Sequence, residues 1–129
     1  LHHEYNYVQS GTSGTIQMED YRNHITVKWQ INSECQNGTR IYSELFLIEK
    51  RYDYFYIQSD DLDASFTGDE QFDLSTTGSN ITVIFTADEI VSAYGFTVHW
   101  SCEGQTTTEY PTTYGSGGSV YTTYQQYGM

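Results

Sequence analysis

The stretch ITVKWQI, residues 25–31, decides the fold class, because it is rich in the β-branched and aromatic residues that favour strands. Four further stretches have the same character: residues 41–49, 52–58, 81–86 and 94–100. Turn-forming segments lie between them: NSECQNG (32–38), SDDLDAS (59–65) and STTGSN (75–80). The chain has one proline, and only residues 86–93 suggest a helical turn. The sequence therefore predicts an all-β, antiparallel β-sandwich.

Length and charge restrict the function classes. A chain of 129 residues suits one domain, and no apolar stretch approaches the roughly 18 residues of a membrane span. The formal net charge is −12 with five Lys plus Arg, which argues against nucleic acid and anionic membranes. Cations, basic proteins and uncharged surfaces are compatible partners. A solubilising acidic coat is the other interpretation of the charge.

Both ends of the chain differ from the middle. Residues 1–13 alternate in a strand-like way and are predicted to form an extended N-terminal arm. Residues 103–129 are rich in Thr, Tyr and Gly, which is typical of a C-terminal arm or linker. Tyrosine is enriched at interfaces, so the ends are predicted to make assembly contacts. The predicted contact residues are Tyr5, Tyr7, Tyr121, Tyr124 and Tyr127.

The cysteines and sequons favour an extracellular, secreted protein. Cys35 and Cys102 each follow a strand-like stretch, which suits one disulfide, although two buried thiols are the alternative. Asn37 and Asn80 begin N-glycosylation sequons. Possible O-glycosylation sites in the C-terminal segment are Thr106, Thr107 and Thr108. Because the chain starts at Leu1 without a signal peptide, we expect a mature or trimmed start.

Residues 14–102 resemble a CUB domain. The resemblance rests on five motifs in the family's order: Gly14-Thr15-Ile16 with Tyr21, Val27 to Ile31, Phe46 to Glu49 with Tyr52-Asp53-Tyr54 and Ile57, Val83 to Asp88, and Gly95-Phe96 with Trp100. Two departures mark it as a divergent member. Val27 stands where the family usually has a cysteine, and the loop before Tyr52 is shortened to Lys50-Arg51.

The resemblance implies a CUB-like jelly-roll sandwich with extended N- and C-terminal arms. It also implies a calcium site, because the family's ligand positions match Glu49, Asp53 and Asp88. Three converging carboxylates repel one another unless a hard cation or protons neutralise them. The alternative is that Glu49 pairs with Lys50 or Arg51, while the two aspartates cap turns.

Other site chemistry has little support in the sequence. The four histidines lack zinc-ligand spacing, and no CxxC or Gly-x-Ser-x-Gly motif occurs. CUB domains carry no catalytic machinery of their own, so we do not expect an enzyme. The acidic residues between positions 60 and 73 suggest either a cation-bridged adhesive patch or a solvated loop. They are Asp60, Asp61, Asp63, Asp69, Glu70 and Asp73.

Two functional hypotheses follow. The first is a secreted structural subunit that self-associates through its Tyr-rich arms into an extracellular homo-oligomer, polymer or filament. The second is a recognition module in which a calcium-organised loop face binds a basic protein or a glycan. Removal of residues 103–129 separates them, because it abolishes assembly under the first hypothesis and spares partner binding under the second.

Overall fold

The described part of the chain is an all-β sandwich of two sheets. The computed structural model describes residues 2–21, 24–88 and 95–104. These residues form nine strands: β1 (His3–Gly11), β2 (Ser13–Glu19), β3 (Ile25–Ser33), β4 (Thr39–Leu47), β5 (Tyr54–Ser59), β6 (Leu62–Phe66), β7 (Asp73–Thr76), β8 (Asn80–Ala87) and β9 (Gly95–Cys102). One sheet has the order β1-β3-β8-β5-β6 and the other β2-β9-β4-β7. This confirms the predicted fold class.

Alternation of side chains builds the core. Ile25, Val27, Trp29 and Ile31 of β3 are all buried, whereas Lys28 between them is exposed. Strands β8 and β9 alternate in the same way, so apolar side chains of both sheets meet in one layer. The aromatic centre of this layer contains Phe46, Phe55, Phe85, Phe96 and Trp100, each at most 1% exposed.

All five predicted strands are present, with shifted ends. The stretch at 25–31 lies within β3, and the stretches at 41–49, 52–58, 81–86 and 94–100 overlap β4, β5, β8 and β9. Three strands were not predicted: β2, β6 and β7. Residues 62–66, which include most of a predicted turn, pair with β5 as β6, and the turn is confined to Asp60 and Asp61.

The N-terminal segment has a different role from the predicted arm. Residues 3–11 are extended, as expected, but they form β1, which pairs with β3 in parallel from His3 opposite Ile25 to Gly11 opposite Ser33. The physical reason is that β3 offers an open edge of backbone groups on this side, and β1 satisfies it. The segment therefore belongs to the sandwich.

The predicted disulfide is confirmed. Cys35 and Cys102 are bonded, with a Cα–Cα distance of 5.0 Å, and they join the loop after β3 to the end of β9. Asn37 lies in that same loop and Asn80 opens β8, and both are exposed, so glycosylation of either stays a prediction.

Several predictions fall outside the described residues. These are residues 89–93 of the predicted helical turn, the C-terminal arm beyond Gly104, the sites Thr106, Thr107 and Thr108, and the contacts Tyr121, Tyr124 and Tyr127. The first two residues of that predicted turn, Thr86 and Ala87, are the end of strand β8. Within the described ranges, no helix is long and apolar enough to cross a membrane.

Candidate metal centre

Three carboxylates lie together at one end of the sandwich. Glu49 follows β4, Asp53 precedes β5 and Asp88 follows β8, so three strand ends bring them to the same place. Each offers one oxygen, and these three oxygens lie within 4.8 Å of one another. Across the described part of the chain, this is the one group of three or more His, Cys, Asp or Glu residues that could hold a metal ion.

Asp53 is the most enclosed of the three. Its side chain is fully buried, its Oδ2 accepts a hydrogen bond from the Tyr21 hydroxyl, and its Oδ1 accepts one from the Asp88 backbone N–H at 3.0 Å. Burial raises the pKa of Asp53, and the hydrogen bond from Tyr21 only partly opposes that rise. A buried carboxylate of this kind gains from a nearby cation, because the cation stabilises its charged form.

Tyr21 connects two of the carboxylate-bearing segments. Its hydroxyl donates to Asp53 and accepts from the backbone N–H of Glu49 at 3.2 Å. Its ring is 2% exposed and meets Phe85 edge to face, with centroids 4.7 Å apart. Burial, together with the hydrogen bond to Asp53, holds the pKa of Tyr21 well above its usual range. The phenol therefore stays protonated and keeps donating to Asp53.

A short turn holds Glu49 and Asp53 in place. The backbone N–H of Asp53 donates to the carbonyl oxygen of Glu49 at 3.0 Å, and Arg51 between them has a left-handed φ of 71°. From the neighbouring loop, the Thr67 hydroxyl donates to the carbonyl oxygen of Asp53 at 2.7 Å. The Oε1 atom of Glu49 is buried inside this arrangement. The shortened loop thus positions both carboxylates with few residues.

Asp88 is tied to the loop between β2 and β3. Its carbonyl oxygen accepts the backbone N–H of His24 at 2.6 Å, and the carbonyl oxygen of His24 accepts the backbone N–H of His3 at 2.8 Å. Asp20 and His24 both have positive φ, 47° and 56°, which is uncommon for residues with a Cβ. Strained backbone therefore borders the acidic cluster.

The donor set fits a hard cation. All three groups supply carboxylate oxygen, which Ca²⁺ accepts with variable geometry and which softer metals do not prefer. The alternative that the two aspartates only cap turns does not describe Asp53 fully. Its Oδ1 accepts a hydrogen bond from the Asp88 backbone N–H, which joins it to the end of β8. A pairing of Glu49 with Lys50 or Arg51 stays an open alternative.

The histidines do not converge on a metal in the described chain. His2 bonds to the Thr26 hydroxyl, and His99 lies on the outer face of its sheet, with Nε2 2.6 Å from Oε1 of Glu44. His24 contributes its backbone N–H to the acidic end, where the Asp88 carbonyl oxygen accepts it. Two of the acidic residues between positions 60 and 73 accept hydrogen bonds from nearby side chains. Asp73 forms a bidentate pair with Arg40, and Asp61 accepts bonds from Thr76 and Thr77.

Sequence reasoning missed the role of Tyr21. In the sequence this residue is only one part of the opening motif, and its burial beside a carboxylate depends on the meeting of three distant strand ends.

The predicted contact residues Tyr5 and Tyr7 lie on β1, with 40% and 52% of their surfaces exposed. The Tyr7 ring stacks on Trp29, with the ring centroids 6.2 Å apart.

No protein-family model and no curated protein matches the sequence. Solved structures do resemble the fold. The full extracellular region of zebrafish Gpr126/Adgrg6 aligns with a TM-score of 0.66 and 23% identity over 73% of this chain. The CUB1-EGF-CUB2 region of human MASP-1/3 aligns with a TM-score of 0.66 and 20% identity, also over 73%. The MASP-1 CUB2 domain, solved bound to Ca²⁺, aligns with a TM-score of 0.63 and 21% identity over 74%.

The lengths of these neighbours define what is shared. The chain covers 14% of the Gpr126/Adgrg6 region and 40% of the MASP-1/3 region, but 96% of the isolated CUB2 domain. The likeness is therefore to one domain of longer proteins. Together with the two-sheet topology, it identifies the described part of this chain as a CUB-like jelly-roll sandwich.

Proposed function

We propose that this domain is an extracellular, non-catalytic interaction module whose acidic end is organised by Ca²⁺. The observation that carries the proposal is the convergence of Glu49, Asp53 and Asp88 at three strand ends. An ion held there would neutralise carboxylates that otherwise repel one another. It would also link the ends of β4, β5 and β8 into one firm loop face.

The chemistry of the cluster supports calcium. Asp53 carries a buried carboxylate whose pKa is raised, so its charged form needs compensation that the hydrogen bond from Tyr21 supplies only in part. The similar MASP-1 CUB2 domain was solved bound to Ca²⁺. We expect an affinity typical of extracellular modules, with a Kd of roughly 10⁻⁴ to 10⁻³ M.

The surface beside the cluster supports recognition. Tyr52 lies in the same turn as Glu49 and Asp53 and is 57% exposed, and Leu47 at the end of β4 is 39% exposed. An exposed aromatic residue next to carboxylates suits a basic protein segment or a glycan, because it offers apolar contact beside charge. The net charge of −12 favours the basic partner through long-range attraction.

Calcium titration tests the proposal. In ~10 mM Ca²⁺, the wild type should gain about 1.4–2.7 kcal/mol over the protein in EDTA. That gain corresponds to a rise in melting temperature of roughly 4–12 °C. Asp53→Asn and Asp88→Asn should abolish the shift. Asp63→Asn is the matched control, because it removes one exposed carboxylate from β6. An equal shift in all four proteins, or no shift in the wild type, would refute the site.

A second candidate function is self-association. Within the described residues, β1 is an edge strand that carries the half-exposed Tyr5 and Tyr7, which favours contact with another copy. The predicted contacts Tyr121, Tyr124 and Tyr127 would belong to the same assembly. Negative-stain electron microscopy of the native material tests it: filaments or arrays support assembly, whereas uniform single particles support the recognition module alone.

A further inference from the structure

An open groove of about 670 Å³ lies between β1 and β2, the edge strands of the two sheets. The chain turns at Thr12 from one sheet to the other, and the two strands separate from that corner. Gln9 closes the groove there, because its Nε2 donates to the Thr15 carbonyl oxygen at 2.9 Å and its Oε1 accepts the Trp100 Nε1–H at 2.7 Å. Gly14 permits this closure, since a Cβ there would lie 2.3 Å from Nε1 of Trp100.

The walls of the groove belong to the core-facing side of the sandwich. Tyr5 pairs with Val27 and Tyr7 with Trp29, and parallel partners point to the same face. Val27 and Trp29 are 2% and 5% exposed, whereas Tyr5 and Tyr7 are 40% and 52% exposed. This part of the inner face therefore has apolar surface that no described residue covers, and covering it would be favourable.

The described chain ends beside the closed end of this groove. The backbone N–H of Cys102 donates to the Thr12 carbonyl oxygen at 3.1 Å, and that of Glu103 donates to the Gly38 carbonyl oxygen at 2.8 Å. The disulfide to Cys35 holds the same point. The 25 residues after Gly104 have a maximum reach of roughly 80 Å, against about 30 Å for the length of β1. They are long enough to follow the whole groove.

The chemistry of those residues matches the groove. Residues 105–129 contain five tyrosines, and Glu109 is their one charged side chain. Tyrosine provides apolar area with a polar end, which suits walls that combine Tyr5, Tyr7 and Met18 with Gln17. A nearly neutral segment also adds little repulsion near Glu19 and Asp20, which border the groove at its other end.

We infer that residues 105–129 of the same chain occupy the groove between β1 and β2. Strand β1 is at the edge of its sheet, so its free edge offers backbone groups along the groove. The inference does not depend on calcium. It opposes the second candidate function, because a groove filled by its own chain is closed to a second copy.

Hydrogen exchange of the full chain, read by mass spectrometry at several protein concentrations, tests the inference. In the wild type, amides within residues 105–129 should exchange at least about tenfold more slowly than those of the same peptide alone, at every concentration. Tyr7→Asp should remove that protection. Asn6→Asp should preserve it, because Asn6 lies between Tyr5 and Tyr7 on β1, is exposed, and points to the opposite face, as does its partner Lys28. Slow exchange of β3 and β8 in the same samples confirms that both variants are folded.

Three results would overturn the inference. The first is exchange of residues 105–129 at the free-peptide rate in the wild type. The second is an equal loss of protection in the two variants, which would mean that the groove face of β1 has no special part. The third is protection that appears only as protein concentration rises, which would place the segment of a second copy in the groove.

Discussion

Asp53 and Asp61 lie at opposite ends of the sandwich and show opposite shifts in pKa. Asp53 is buried at the acidic end, and its pKa is raised because burial disfavours the charge. Asp61 is exposed in the turn after β5, and hydrogen bonds from Thr76 and Thr77 lower its pKa to about 2. The charged form of aspartate is thus destabilised at the end with Asp53 and stabilised at the end with Asp61.

The difference extends to the ends as wholes. The end with Asp61 also has the Cys35–Cys102 bond, which does not depend on pH or on cations. The end with Asp53 is held by Tyr21 and by three carboxylates whose charge must be balanced. One end is therefore fixed under oxidising conditions, and the other is expected to change its stability with calcium and pH.

The largest expected effect is at the covalent end. Cys35→Ser together with Cys102→Ser removes a link between residues 67 positions apart, which should lower the free energy of unfolding by about 2–4 kcal/mol. Denaturant unfolding measures this loss. The calcium-induced stabilisation should be unchanged in the double variant. If it disappears, the two ends are not independent.

The next effect concerns Tyr21. Tyr21→Phe leaves the Asp53 carboxylate and the Glu49 backbone N–H without their shared hydroxyl partner, and should cost about 1–3 kcal/mol without calcium. Tyr54→Phe is the matched control, because it removes one exposed bond to the Arg51 carbonyl oxygen, at 3.3 Å. Similar losses in the two variants would show that the buried hydroxyl has no special importance.

A pH titration in EDTA sharpens the comparison at Asp53. Because its pKa is higher in the folded state, the unfolded chain loses this proton first as pH rises above about 4, and unfolding becomes easier. Asp53→Asn lacks this effect. Its stability relative to the wild type should therefore increase as pH rises from 4 and level off once folded Asp53 is ionised. A difference that is constant with pH would contradict the raised pKa.

The smallest effect is expected at Asp61. Its lowered pKa means that the carboxylate stabilises the fold above about pH 4 and that this contribution is lost as pH falls towards 2. Asp61→Asn should slightly lower the melting temperature at pH 7 and match the wild type near pH 2. An undiminished difference at pH 2 would assign the effect to packing of the turn.

The sequence was informative where local composition decides structure. Stretches such as residues 25–31 are strands in any sandwich, because their β-branched and aromatic side chains fit a half-buried sheet. Strand β6 was missed because Asp63 and the two aspartates just before the strand resemble a turn, although Leu62, Ala64 and Phe66 alternate along it. Local alternation also predicted that residues 3–11 are extended, but it did not reveal that they pair with β3.

The acidic end was found through resemblance to a family. Glu49, Asp53 and Asp88 are separated by up to 39 positions, and no local pattern predicts that their oxygens meet. Motif order supplied that information. The hydroxyl of Tyr21 and the bond from Asp88 to Asp53 depend on how loops close across strand ends, which composition does not encode.

The direction of β1 has a mechanical consequence. His3 lies at the acidic end, and Cys102 lies at the disulfide end, so tension between these two points acts along the strands. Because β1 and β3 are parallel and in register from His3 to Gly11, such a pull loads their hydrogen bonds together, in shear. A domain held between two such attachment points would resist extension better than one in which the pull breaks the hydrogen bonds of the terminal strand one after another.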